Sequence, residues 1–359
     1  GGPGALFWLW VAAFFGMATI FAEAVLAQTF KTTDEHGHVV GGPAYYITRG
    51  MGPKFKPLAA FFSIAIIIAL GCIGNMVQSN SISKGMHTAF DIPLLVSGIV
   101  TAILAGLVFF GGVRRLASVT EKLVPIMAAI YLLGGTYVIL CHIDLVGSAF
   151  ELIFTAAFNP QAMAGGALGL TVAKAMQFGV ARGLFSNEAG MGSTPHAHAI
   201  AKVEHPAEQG LVAIFGVFTT VLVVTFTGIV ILVTGVLDYQ VTGIELTQKA
   251  YNLGLGSLGM AFVAICLFFF AYSTIIGWYF FGEQNVRFLF GSGGLLPYRI
   301  VVCGFIVVGA TLKVDLVWAL ADLFNGLMVI PNLIALLVLH RVVSDSLRDF
   351  ERKLAQSGQ

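Results

Sequence analysis

The sequence predicts an all-α integral membrane protein with about nine spans, each of the roughly 20 apolar residues a bilayer requires. Three observations carry this. Hydrophobic residues make up 57% of the chain and charged residues 10%, against about a quarter charged in soluble domains. Apolar stretches of crossing length recur along the chain, giving a mean hydropathy of +0.90. Lysine and arginine gather on alternate connections, as the positive-inside bias requires.

Taken in order, the clear spans are Ala5–Ala27, Pro57–Ser79, Pro93–Phe110, Val124–Leu140, Leu211–Leu237, Leu258–Phe281 and Leu316–Leu339. Leu295–Leu312 is shorter and begins with a turn-like Pro297. Ala162–Lys202 is too long and too interrupted for one straight helix and counts as one crossing. With the first span running outside to inside, most basic residues fall on the inner side, among them Lys31, Arg49, Lys54, Lys56, Arg114, Arg115, Lys122, Lys202, Arg287 and Arg299. The outer connections hold Lys84, Lys249 and Lys313. The start is then outside and the C-terminus cytoplasmic.

Residues 1–340 read as a single transmembrane domain and 341–359 as a cytoplasmic tail, a charged stretch suited to a short surface helix. The opening "GGPGALFWLW" has no initiator Met, charged leader or signal-peptide layout, and reads as an N-terminally truncated fragment. The polar connection from Lys31 to Lys56 carries Gly/Pro turns, with Tyr45–Tyr46 expected at the headgroup level. A net charge of +1 provides no basic field for nucleic acid. Cys72, Cys141, Cys266 and Cys303 show no paired metal or disulfide spacing and read as packing residues.

Polarity enters the apolar spans at a few points. "GLFSNEAGMGS" (Gly183–Ser193) sets Ser, Asn and Glu among glycines. Non-helical backbone at membrane depth survives only inside protein or around a water-filled cavity, so this is a binding-site candidate; the alternative is a cytoplasmic loop. Asn75, Gln78, Ser79 and Ile82 share one helix face expected to look into the bundle, for binding or for interhelical hydrogen bonding. Ser273–Thr274 could offer oxygen to a small hard cation or bond back to their own helix. Asp322, Asn325 and Asn332, with Pro331, interrupt the final span, which reads as packing and a proline kink or a pathway lining. Gly165–Gly166–Ala167 and Gly304–Gly309 read as close-approach patterns.

Two classes of function compete. An intramembrane enzyme needs a nucleophile with its base, or metal ligands; all the histidines lie in loops or at span ends, no HExxH occurs, and Glu23 is the one obvious base at depth. A transporter needs polar groups from several spans at an interrupted helix, which the sequence supplies.

"ARGLFSNEAGMGSTPHAHAIAK" resembles the most recognisable stretch of the sodium:alanine/glycine symporter family, and "GGPAYYI", "GNMVQSNSI" and "YSTIIGWYFFGE" resemble the family in matching order. The resemblance covers essentially the whole chain. It implies a leucine-transporter-like bundle of two inverted five-helix repeats, here lacking the first core helix that precedes "GGPGA" in family members. It implies that the interrupted segment is the broken first helix of the second repeat. The function implied is Na⁺-coupled symport of alanine or glycine across the cell's inner (plasma) membrane by a monomer that is not an enzyme and carries no cofactor; an H⁺-coupled permease is the alternative. The implied substrate-binding positions are Asn75, Gln78, Phe185, Ser186, Asn187 and Thr274, with Ser273 and Thr274 meeting Na⁺.

Overall fold

The computed structural model describes residues 1–35, 37–159, 171–237, 241 and 243–357, apart from the side chains of residues 112–117, 119, 120 and 357. Among these, six helical stretches are long and apolar enough to cross a bilayer: Gly4–Phe30, Pro53–Phe90, Glu121–Cys141, Pro206–Val233, Ile244–Thr311 and Val314–Val338. Leu94–Phe109 is a shorter apolar helix. The 68-residue Ile244–Thr311 stretch would run about 100 Å as one rod, roughly three hydrocarbon thicknesses. Short 3₁₀ turns at Gly256–Leu258 and Gly291–Gly294 divide it into three helices.

The chain opens with α1 (Gly4–Phe30) and a small hairpin, β1 (Thr32–Thr33) with β2 (Val39–Val40), antiparallel with Thr32 opposite Val40. There follow α2 (Pro43–Tyr46), α3 (Lys56–Ile66), a widened π-helical stretch at Ile67–Gly74, and α4 (Asn75–Phe90). Next come α5 (Leu94–Phe109), α6 (Gly112–Cys141) and α7 (Val146–Phe158). The second part contains α8 (Val172–Asn187), α9 (Pro195–Ile200), α10 (Pro206–Val233) and α11 (Ile244–Leu255). It closes with α12 (Gly259–Phe290), α13 (Leu295–Thr311), α14 (Val314–Val338) and α15 (His340–Ser357).

Two helices organise the packing. Helix α1 runs between α8 and α10; Trp10 Nε1 donates to Thr225 of α10 at 2.7 Å, and Trp8 Nε1 to the Ala157 carbonyl of α7 at 3.2 Å. Helix α12 is the axis of the largest core, in which Ile275, Trp278 and Tyr279 are buried against residues of α3, α4 and α13. Outward-facing Phe14, Phe15, Phe215 and Leu337 are each more than two-thirds exposed. Such exposure suits a hydrocarbon solvent, where it costs nothing.

Helices cover the described parts of the expected apolar stretches, with some changed limits. The Pro57–Ser79 span continues helically to Phe90, and the Val124–Leu140 span begins at Gly112. Residues 162–170 of the interrupted segment, with Gly165, Gly166 and Ala167, lie outside the described residues; the rest forms α8, a break and α9. Tyr46 does not face headgroups. Gly42, at φ 115°, turns the chain inward, so Tyr46 is fully buried with its hydroxyl donating to Asn332, and the half-buried Tyr45 ring lies edge-on to Phe288. The surface helix expected of the tail is α15, docked by Val343 and Phe350 on Phe21, Val25 and Ala207 and by His205 to Asp349 at 3.2 Å. Lys353, and then His205, hold the Asp349 carboxyl below the usual carboxylate range.

Gly309 and Gly304 behave differently despite their shared pattern. A Cβ on Gly309 would lie 2.5 Å from Met76 Cα, so the bare glycine is what lets α13 meet α4; at Gly304 nothing lies within 4 Å. Gly309→Leu should therefore lower the thermal unfolding midpoint in detergent, at a cost of about 1–3 kcal/mol for overpacking. Gly304→Ala should leave that midpoint unmoved.

Candidate functional site

Helix α8 starts under a Thr171 cap, whose hydroxyl accepts from Lys174 N at 3.1 Å, and runs as far as Asn187. Glu188 then adopts the left-handed conformation at φ 55°, which a non-glycine residue takes at a cost and which ends a helix. Residues 188–194 are irregular until Pro195 opens α9. Gly190 and Gly192 sit at φ 90° and 79°, where a side chain would be strained. A Cβ on Gly192 would also meet Phe62 at 2.8 Å. The break is shorter than the sequence suggests, since Gly183 to Asn187 remain helical.

This irregular backbone is buried, so its polar groups need partners. Glu23, fully buried on α1, supplies them: one carboxylate oxygen accepts from Gly190 N at 3.0 Å and the other from Gly192 N at 2.8 Å. Asn332 on α14 donates to Glu23 at 2.5 Å and to the Gly190 carbonyl at 2.9 Å, while Tyr46 donates to its amide oxygen. Glu188 accepts from Trp278 Nε1 at 2.7 Å and from the Ser193 hydroxyl. His196 contacts the Ser193 carbonyl at 2.7 Å through Nδ1 and Asn285 at 2.8 Å through Nε2. The break is thus held from α1, α12 and α14 at once.

Trp278 draws the candidate residues together. Its ring meets Phe185 edge-on at 5.2 Å, and a Cβ on Gly74 would lie 2.6 Å from it, which puts neighbouring Asn75 beside the end of α8. Asn187 is 7% exposed and neither atom of its amide has a partner among the described residues. Asn75 is fully buried: its Nδ2 donates to the Gly71 carbonyl at 2.9 Å, a group belonging to the widened stretch, and its Oδ1 is unpartnered. Unpaired buried amides are costly. Each of these two asparagines adjoins a residue that meets Trp278, Gly74 for Asn75 and Glu188 for Asn187.

The remaining candidates divide. Thr274 lies one turn before Trp278 on the same face of α12, yet both it and Ser273 donate to the Phe270 carbonyl, at 3.0 and 2.8 Å. Their donors are thereby spent on their own helix, and their oxygen lone pairs remain. Ser186 and Gln78 are half-buried. Ser79 bonds the Ile306 carbonyl at 2.7 Å, and Asn80 bonds Gly309 and Leu312, so both join α4 to α13. Arg182 pairs with Asp322 and lies 4.2 Å from the Trp318 ring centre.

Sequence reading passed over Glu23, Trp278 and the Asn332 bridge as site elements. For Glu23 a signal existed: a lone carboxylate inside a transmembrane span is functional by default.

A multi-pass helical bundle that gathers its buried polarity at an interrupted helix is the architecture of a membrane transporter. The chain belongs to the sodium:alanine symporter family, whose model matches residues 1–359. It is 43% identical over 358 residues to an uncharacterized transporter of Haemophilus influenzae, covering 99% of this chain and 78% of that one. It is 42% identical over 357 residues to the sodium/alanine symporter AgcS of Methanococcus maripaludis, covering 98% and 78%. To the amino-acid carrier protein AlsT of Bacillus subtilis it is 39% identical over 362 residues, covering 99% and 75%.

Replacing Glu23 by Leu removes the acceptor for Gly190 N, Gly192 N and the Asn332 amide, each orphaned group costing about 1–3 kcal/mol. Hydrogen exchange at Gly190 and Gly192 should accelerate more than at the buried α12 amides. Glu23→Gln keeps one acceptor oxygen and should fall between Leu and the native residue.

Proposed function

We propose that the protein is a secondary active symporter that couples Na⁺ entry to the uptake of a small neutral amino acid, alanine or glycine, across the plasma membrane. The observation that carries this reading is the unpartnered Asn187 amide, buried at the end of α8 between a helix break and an aromatic wall.

An amino-acid zwitterion offers three things to recognise. Its ammonium suits the negative C-terminal end of α8, where the Asn187 and Asn75 oxygens have no partner among the described residues. Its carboxylate suits the Asn187 amide nitrogen. Its side chain meets Phe185, which Trp278 and Trp318 flank at 5.2 and 4.8 Å, and this aromatic enclosure favours a methyl group or hydrogen over a long chain. Gln78, Ser186 and Thr274 complete the proposed lining. Na⁺ takes oxygen ligands, for which the Ser273 and Thr274 hydroxyls are the candidates carried by family resemblance.

The break after α8 supports reading α8 and α9 as the broken first helix of a second inverted repeat in a leucine-transporter-like bundle. Alternating access would then be a rocking of helices about the fixed break. The same reading places the C-terminus in the cytoplasm and makes the monomer the transporting unit.

Alanine or glycine uptake by cells making the protein should require an inward Na⁺ gradient. Uptake that persists undiminished when choline replaces Na⁺ at constant pH would overturn the coupling. Asn187→Ala should weaken alanine binding roughly five- to 150-fold, the loss of one buried hydrogen-bonding group. An unchanged affinity in a folded Asn187→Ala protein would place the substrate elsewhere.

A further inference from the structure

Trp318, Asn325 and Asn332 of α14 follow one another at seven-residue intervals, about two turns each, so they share one helix face to within about 20° per step. Both outer members touch the interrupted helix. The Trp318 ring centre lies 4.8 Å from that of Phe185, and Asn332 donates to the Gly190 carbonyl at 2.9 Å. Asp322, on the adjoining edge of the same face, pairs with Arg182 of α8. Contacts at Phe185 on one side and at Gly190 on the other set Asn325 beside the last residues of α8.

Two features there call for a hydrogen-bond donor. The amide oxygen of Asn325 is buried and has no partner among the described residues, a costly state for a polar atom. Phe324 beside it and Ala321 one turn before it pack with Phe185 in one apolar cluster, which offers no donor. Helix α8 in turn closes with Glu188 N on the Leu184 carbonyl at 2.8 Å. The carbonyls that follow lie beyond the helix's own N–H groups, at the negative end of its dipole. Acceptors thus gather from both helices, and a cationic group bearing N–H is their complement.

We propose that Asn325 is a further substrate-binding residue, its amide oxygen accepting one N–H of the amino acid's ammonium group. The proposal rests on the transport reading above and adds a selectivity to it. A primary ammonium carries three N–H donors. An N-methylated amino acid carries two, and leaves one acceptor of a matched set bare. Selection at the nitrogen then falls to Asn325, whereas selection at the side chain falls to the aromatic enclosure around Phe185.

The test compares alanine with N-methylalanine as ligands of the purified protein in Na⁺, reading affinity from the rise of the unfolding midpoint with ligand concentration. The native protein should prefer alanine. Asn325→Ala should weaken alanine roughly five- to 150-fold, the loss of one buried hydrogen-bonding group, and N-methylalanine far less, so that the preference narrows. Asn325→Asp keeps an acceptor oxygen and should keep the preference; Asn325→Leu stands in if Asn325→Ala fails to fold. An equal loss for both ligands, as expected if Asn325 acted through helix packing or through Na⁺, overturns the proposal. So does an unchanged alanine affinity, or a native protein that binds both ligands alike. Where N-methylalanine binds too weakly to measure, an Asn325→Asp protein as impaired toward alanine as Asn325→Ala overturns it, and one close to native upholds it. Absence of alanine binding by the native protein overturns the transport reading itself.

Discussion

The structure depends on one buried carboxylate meeting two backbone N–H groups. Interrupting a helix inside a bilayer frees groups that hydrocarbon cannot satisfy, and Glu23 satisfies Gly190 and Gly192 directly. The same carboxylate needs company of its own, which Asn332 gives at 2.5 Å while also holding the Gly190 carbonyl. Acid, amide and loop thus form a closed set in which each member's burial is tolerable only because the others are present. Tyr46 extends that set to the chain that follows the hairpin.

A rigid clasp on one side of the break leaves the other side free for chemistry. Towards α12 the end of α8 meets an aromatic wall, and there the Asn187 amide and the Asn75 oxygen have no partner among the described residues. The contrast between satisfied and unsatisfied polarity, a few residues apart, separates scaffold from recognition surface better than polarity alone. It also explains why Ser79 and Asn80, equally polar and equally buried, belong to the scaffold: both donate to carbonyls of α13 or of the residues that follow it.

The spans were legible because apolar run length is a direct consequence of bilayer thickness, and the break because glycine and polar residues stand out in so apolar a chain. What escaped were partnerships. Tyr46 looks like any interfacial tyrosine until the turn at Gly42 sends it inward. Trp278 is one aromatic among many in α12, and nothing in its spacing shows that it bonds Glu188. Glu23 stands out as a carboxylate at depth, but nothing in its position shows that it meets two backbone N–H groups of a distant break. Ser273 and Thr274 were correctly seen as polar, but sequence could not decide whether their hydroxyls turn outward or back to Phe270. The single face drawn through Asn75, Gln78 and Ser79 was too narrow, because α4 is buried on both sides of it: Asn80 is buried and Gln78 only half so.

The widened turns at Ile67–Gly74 act as a register adjuster between two helices that would otherwise be one. A π-helical turn holds one residue more than an α-helical turn of the same span, so the stretch stores surplus chain within an otherwise straight rod. Excising a single residue there would let α3 run into α4 with regular hydrogen bonds, and the join itself would be better formed. Making these turns regular with every residue kept would instead swing Asn75, Ser79 and Asn80 by about 100° relative to the face that α3 packs. Ser79 and Asn80, the two donors to α13, would then point past their carbonyls. Local helical irregularity here is what allows one continuous rod to serve the core with one half and the binding region with the other.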